Sequence, residues 1–251
     1  MIQNAEPTLG FFNCVSTKKR ATEKTLINIR EIYPDSYFLI ACDAQESYMD
    51  LCEKYNCEYF HSQNKVGYPV QPYGYTMKNV LDWLSRFYFA AVRTPTTHLM
   101  MMEDDILVNR KIDLNADWEI AGPAIIQGQF EPHIPETVME LIYQFSGKYP
   151  NVNHYGGGGG TIFKVSTFLD NYTEIVKFLK TSGRIIQNNI YPTIGWIDCF
   201  MTIFYYLCGK ELQSNPRMIS LYNCHTPEDY DNEVTRLQSD YDIICHYKKY
   251  Y

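Results

Sequence analysis

Apolar runs alternate with stretches of helical period along the first half of this chain, and the pattern loosens in the second half. Leu9 to Val15 is a continuous apolar run, as are Tyr37 to Ala41, Cys57 to Phe60 and Leu99 to Met102. Runs of this kind between polar loops read as strands buried on both faces of a sheet. Between them Thr22, Leu26, Ile29 and Tyr33 fall at helical spacing up to Pro34, and Tyr48, Leu51, Cys52 and Tyr55 do the same. A third stripe, Met77, Val80, Leu81, Leu84 and Tyr88, ends where Thr94-Pro95 breaks it. Strand and helix alternating in this way predict a parallel, doubly wound α/β sheet. Ligands of such sheets lie beyond the carboxyl ends of the strands. Here Ser16-Thr17, Asp43 and Glu103-Asp104-Asp105 stand at those ends.

In the second half, Gly122 to Phe130 reads as a strand, and Pro135 opens a helix with Val138, Leu141, Ile142 and Phe145 at offsets of three and four. Tyr155 precedes five glycines, Gly156 to Gly160, and then comes a strand from Thr161 to Val165. Ser166 is placed to cap a helix carrying Phe168, Leu169, Tyr172, Ile175 and Leu179. Ile194-Gly195-Trp196-Ile197-Asp198 leads into a helix, Cys199 to Cys208, apolar almost all round and therefore deeply buried. Arg217 to Asn223 reads as a last core strand ending at Cys224-His225, followed by an acidic and then aromatic tail containing His246.

Composition narrows the class. A 251-residue chain with 45% apolar and 20% charged residues can bury a large core and is expected to form one domain. The net charge of −7, with Lys18-Lys19-Arg20 the one basic cluster, argues against a nucleic-acid partner. No apolar segment approaches the roughly 20 residues of a membrane span, and Met1 to Gly10 lacks the apolar core of a secretion signal, so a cytoplasmic protein is expected. The 8 cysteines include no C-x-x-C pair, and Cys14, Cys42 and Cys208 sit in apolar segments, so a reduced state fits better than disulfides or zinc. The 22 tyrosines, among them Tyr68, Tyr73 and Tyr75, offer flat rings that suit sugars as well as core packing.

Three adjacent carboxylates after a buried run repel one another and resist desolvation. A hard divalent cation, often shared with substrate phosphates, is the usual neutraliser; a solvated strand exit is the alternative. A carboxylate opening a buried helix, as Asp198 does, can act as a general base or as a helix cap. The glycines suit close approach of backbone to a ligand, or a flexible linker.

The order of these features resembles the GT-A fold glycosyltransferases over roughly residues 8 to 246. The shared features are a doubly wound nucleotide half, an acidic triplet after the fourth strand, a glycine loop, an acid opening a buried helix, and a late histidine. In general character the chain looks like the glycosyltransferases encoded by large DNA viruses of algae. The resemblance implies a mostly parallel, Rossmann-like sheet flanked by helices, with a nucleotide-sugar-binding half (8–108) and an acceptor half (109–251). It implies a UDP- or GDP-sugar donor, a glycan or glycoprotein acceptor, and Mn²⁺ or Mg²⁺ as cofactor. Glu103-Asp104-Asp105 stands where the family has Asp-x-Asp, with Glu at the first position as a departure.

By this resemblance Asp105 is the metal ligand, with Glu103 or Asp104 reaching the ribose or a metal-bound water. A second ligand is expected from His225 or His246; the shorter spacing from Asp198 resembles inverting members and the longer one retaining members. His225, and with it inversion, is the expectation. Asp198 is then the base that takes the acceptor proton, although the family has an acidic pair where this chain has Ile197-Asp198. Ser16, Thr17, Arg20, Asp43 and Lys78 are expected around the nucleotide, and Gly157, Gly158 and Gly159 around the sugar. Trp196 and the tyrosines of residues 67–75 are further candidates for the sugar pocket. Two other readings compete. A sugar-1-phosphate nucleotidyltransferase would carry a glycine-rich loop after its first strand, where this chain has Cys14-Val15-Ser16-Thr17-Lys18. A non-catalytic sugar- or calcium-binding protein would not need Asp198 at the head of a buried helix.

Overall fold

The structure is a computed structural model that describes residues 6–15, 18–43, 46–63, 76–123, 134–150, 158–190, 199–221 and 227–245. The strand–helix alternation expected of the first half is present: β1 (Leu9–Val15), α1 (Lys19–Ile32), β2 (Phe38–Cys42), α2 (Met49–Tyr55), β3 (Glu58–His61), α3 (Met77–Arg93) and β4 (His98–Met102). After these come β5 (Leu107–Val108), β6 (Ile120–Pro123), α4 (Glu136–Ser146), β7 (Ile162–Lys164), α5 (Val165–Ile190) and α6 (Cys199–Leu207). The remaining elements are β8 (Leu212–Asn215), β9 (Met218–Ser220), α7 (Pro227–Leu237) and β10 (Ile243–Cys245).

Seven strands form a central sheet in the order β3-β2-β1-β4-β7-β6-β8. The ladders are parallel except where β7 runs antiparallel to both β4 and β6. Strand β6 therefore points the same way as β4, and β1, β2 and β4 all end at one edge, the carboxyl edge. There Val15 is level with Cys42, and Asn13 with Met102. A second sheet, β5-β10-β9, joins β5 to two strands more than a hundred residues further along the chain, with β10 parallel to β9 and antiparallel to β5.

The side-chain period of two sends β1 and β4 residues alternately to two cores. Phe12, Leu99 and Met101 meet α3, α4, α5 and α6; Phe11, Met100 and Met102 meet α1, α2 and the second sheet. In the first core Phe87 stands edge-on to Phe12, Phe163 and Phe168 at ring separations of 5.2, 5.6 and 4.8 Å. That geometry suits aromatic quadrupoles. Helix α6 is buried from Phe200 to Leu207, as its all-round apolar sequence predicts, and the Tyr205 hydroxyl donates to the Lys164 carbonyl at 2.7 Å.

Three expectations are corrected. Ser166 caps nothing: the chain passes from β7 straight into α5, so Ser166 lies inside the helix, and the Val165 N–H is taken by the Thr97 carbonyl at 2.9 Å. Met218–Ser220 is neither the last strand nor part of the central sheet, because β10 arrives later to pair with it. The strand expected over 122–130 is seen as β6 at 120–123, and residues 124–130 lie outside the described residues. Cys14, Cys42, Cys52, Cys57, Cys208 and Cys245 are free. Among the described residues no helix is long and apolar enough to cross a membrane.

Candidate active site

The carboxyl edge is where the candidate groups gather. Beyond Met102 the chain turns through Glu103-Asp104-Asp105, closed by the Ile106 N–H donating to the Glu103 carbonyl at 3.4 Å. All three acids are half-buried while Met102 and Ile106 on either side are buried. Local hydrophobic anchoring thus holds a charged turn at a strand tip.

The glycine segment lies directly against this turn. The Gly160 N–H donates to the Met101 carbonyl at 2.7 Å, and the Met101 N–H donates to the Thr161 carbonyl at 2.9 Å. A Cβ on Gly159 would stand 2.6 Å from Ile106 Cγ1 and 3.0 Å from Glu103 Cβ. Gly160, at φ +90°, is in a conformation that L side chains rarely adopt, and its Cβ would collide with Met218 and stand 2.8 Å from Cys245 Sγ. These glycines are spacers that bring backbone onto the acidic turn, which disposes of the linker reading for 158–160. Gly157 lies outside the described residues.

Strand β10 closes the same corner. The Cys245 thiol donates to the Gly159 carbonyl at 3.4 Å. Burial, together with the nearby charges of Asp105 and Glu103, pushes that thiol well above its ordinary pKa. The Leu221 N–H donates to the Cys245 carbonyl at 3.0 Å, so parallel β9 and β10 leave the second sheet together.

On the other side of the acids, Lys18 reaches Asp104 with Nζ 3.5 Å from Oδ2. Asp43, at the end of β2, is buried and paired to Arg86 at 3.1 Å. The same guanidinium holds Asp82 at 2.7 Å, one turn earlier on α3. Arg20 is exposed in the first turn of α1, and Lys78 is exposed in the first turn of α3. Because α3 leads into β4, its first turn is also at the carboxyl edge.

Helix α5 starts beside Thr97 at the opposite edge and runs back until Gly183 packs on Met77. Helix α6 runs the other way, towards Lys164. The end of α5 and the start of α6 therefore face the carboxyl edge, on either side of residues 191–198. Asp198 and Trp196, like Ser16, Thr17, His225, His246 and the tyrosines of 67–75, lie outside the described residues. Among the described residues no three His, Cys, Asp or Glu side chains come together as a ready-made metal cage. The donor set at the turn is nevertheless all carboxylate oxygen, the chemistry a hard divalent cation takes, so these residues fit such an ion.

Arg86 and Cys245 are not singled out by the sequence, and Lys18 stands there only as a member of the basic cluster 18–20. Arg86 did carry a signal: it is the one cation on the apolar stripe of α3, between Leu84 and Phe87, and a cation there implies a buried acid to meet it. Cys245 carried none, because its place depends on strand pairing with distant segments.

No protein-family model matches this chain, and no curated protein does. Solved structures do. The apo structure of the bifunctional glycosyltransferase WbbM superposes over 97% of this chain and 46% of its own, with TM-score 0.53 and 13% identity. This chain thus spans a little under half of WbbM. The galactosyltransferase LgtC, in complex with donor and acceptor sugar analogs, superposes over 94% of this chain and 86% of its own, with TM-score 0.50 and 12% identity. With its mostly parallel seven-stranded sheet flanked by helices, this chain has the GT-A glycosyltransferase fold.

Proposed function

We propose that this chain is a metal-dependent glycosyltransferase that moves a sugar from a UDP- or GDP-sugar to a hydroxyl of a glycan or glycoprotein. The observation that carries the reading is the acidic turn 103–105 at the tip of β4, clasped by the glycine backbone of 158–160 and bordered by the end of β10. A functionless acidic exit would not call for glycines at both Gly159 and Gly160 to let backbone lie against it.

Asp105 is the proposed ligand of Mn²⁺ or Mg²⁺, with Glu103 and Asp104 for the ribose or a bound water. When bound, such a cation offsets the charge that grows on a departing nucleoside diphosphate. The protein's own share is to hold the donor. Backbone of 158–160 borders the sugar, and Arg20 and Lys78, exposed at the same edge, offer positive charge to the phosphates. Asp43 would orient the base from its place beside Arg86, and Ser16 and Thr17 would complete the nucleotide contacts. Asp198, between the end of α5 and the start of α6, would accept the proton of the attacking hydroxyl in an inverting transfer.

What supports His246 as the second ligand, in place of the His225 expected from spacing, is its position in the sequence. It follows directly on Cys245, whose thiol touches the glycine carbonyl beside the acids, whereas three residues separate Leu221 from His225. The longer spacing resembles retaining members, so this choice makes retention a competing outcome for the stereochemistry.

Titration of UDP and GDP into the protein with and without Mn²⁺, read by calorimetry, tests the assignment. Nucleotide binding that requires the metal and disappears in Asp105→Ala is expected; metal-independent binding of equal strength overturns it. Mn²⁺ affinity should fall in His246→Ala and hold in His225→Ala. Proton NMR of the first-formed anomer then gives the stereochemistry. An inverted product together with a rate loss of about 10²–10⁴-fold in Asp198→Asn is expected of a general base; a retained product removes Asp198 from that role. Donor synthesis from a sugar 1-phosphate and a nucleoside triphosphate would favour the nucleotidyltransferase reading instead.

A further inference from the structure

We propose that Lys18 is a built-in stand-in cation, paired to Asp104 while the site is empty and transferred to the diphosphate of the donor when metal and donor bind. The inference rests on the glycosyltransferase reading and deepens it.

Three observations carry it. Lys18 Nζ lies 3.5 Å from Asp104 Oδ2, so the ammonium borders the acidic turn at which a divalent cation would bind. The Lys18 side chain is 63% exposed and that of Asp104 33% exposed, so the pair can open without exposing any core. The backbone of Lys18 is left-handed, at φ 62° and ψ 50°, where a lysine is uncommon. It precedes α1 with no side-chain cap, at the position where Ser, Thr, Asn or Asp is ordinarily preferred. What lysine offers there in place of a cap is a charge that reaches the β4 tip. The neighbouring Lys19 is engaged elsewhere, with Asp50 at 2.7 Å and Glu46 at 3.5 Å, and so does not share the task.

Asp104, proposed above to take the ribose or a metal-bound water, cannot give the same oxygen fully to an ammonium and to that water or hydroxyl. A metal arriving alone, with its bound water on Asp104, must therefore displace Lys18 and leave its charge uncompensated. A metal arriving with a diphosphate gives Lys18 a new and stronger partner, because charge-assisted bonds to phosphate are among the stronger hydrogen bonds. Metal and nucleotide then bind cooperatively, and by linkage each raises the other's affinity by the same factor. Free metal gains little hold on the empty site.

The test is calorimetric titration of Mn²⁺ alone, of UDP and GDP alone, and of each nucleotide at saturating Mn²⁺. The proteins are the parent, Lys18→Gln, Lys18→Gly and Lys19→Gln. The parent must first show Mn²⁺-dependent nucleotide binding; if it does not, the glycosyltransferase reading fails, and this proposal with it. Given such binding, Lys18→Gln should tighten Mn²⁺ alone by about 2- to 5-fold, the size of an exposed ion pair lost. It should weaken nucleotide at saturating Mn²⁺ by about tenfold, the size of one charge-assisted bond. Lys18→Gly, which adopts the left-handed backbone freely, should match it and so separate charge from backbone strain. Unchanged or weaker Mn²⁺ binding in both Lys18 variants, unchanged nucleotide affinity, or an equal effect from Lys19→Gln would each overturn the assignment while leaving the glycosyltransferase reading intact.

Discussion

His98 shows how a single side chain links the fold to pH. It is buried at the start of β4, with Nε2 2.9 Å from the Trp118 carbonyl and Nδ1 2.9 Å from Thr97 Oγ1. A carbonyl only accepts, so Nε2 carries the proton. Burial, with Lys164 nearby, lowers the pKa of this imidazole from 6.5. The unfolded chain therefore takes up a proton first as pH falls, and stability declines from about pH 6.5 down to the lowered folded value. Melting temperature should fall as pH drops below about 6.5, and His98→Gln should flatten that slope; an unaltered slope would place the proton uptake elsewhere. Arg86 is a second case. Removing it leaves Asp43 as a buried charge without its guanidinium, so Arg86→Met should cost about 3–5 kcal/mol in urea unfolding. Adding Asp43→Asn should recover part of that loss. At this scale the sequence was half legible. Asp43 was visible as an acid at a strand end, but its partner lies 43 positions away, and nothing local announces that pairing.

Whole elements were legible where their own period carried the signal. Strands β1, β2 and β4 and helices α1, α3 and α6 bury a pattern that repeats within each segment. The short strands β5, β8, β9 and β10 have two to four residues each, too few to show any period, and they exist because distant partners accept their hydrogen bonds. The junction of β7 and α5 eluded reading for a related reason: Val165 is held by Thr97, so no local cap was required. The glycine segment is the element with the sharpest test. Gly159→Ala must push Ile106 and Glu103 apart, costing about 1–3 kcal/mol. The same substitution should weaken Mn²⁺-dependent UDP or GDP binding by displacing the acidic turn. Loss of stability with untouched nucleotide affinity would mean the clasp serves folding alone.

For the molecule as a whole, the GT-A fold was legible because motif order along the chain maps onto strand order in the sheet. The site was legible on its acidic side and obscure on the side that β10 supplies. If the turn holds metal and nucleotide together, the two ligands should stabilise the entire fold. A ligand at about 100 times its Kd adds about 2.7 kcal/mol to a native state it binds exclusively. Thermal unfolding with Mn²⁺ and UDP or GDP should shift upward more than with either alone, and Asp105→Ala should abolish the difference. Equal shifts in the parent and the variant would detach the acidic turn from binding.

The β5-β10-β9 sheet has a consequence for synthesis. Leu107 and Val108, just past the acids, leave the ribosome long before the strand at 243–245 that completes their pairing. The earlier strands can assemble during translation, yet the corner around the acids has no finished wall until that late segment docks. A nascent chain would therefore be shaped before that corner is closed, and cleavage ahead of residue 243 should leave a folded body that has lost Mn²⁺-dependent binding of UDP or GDP.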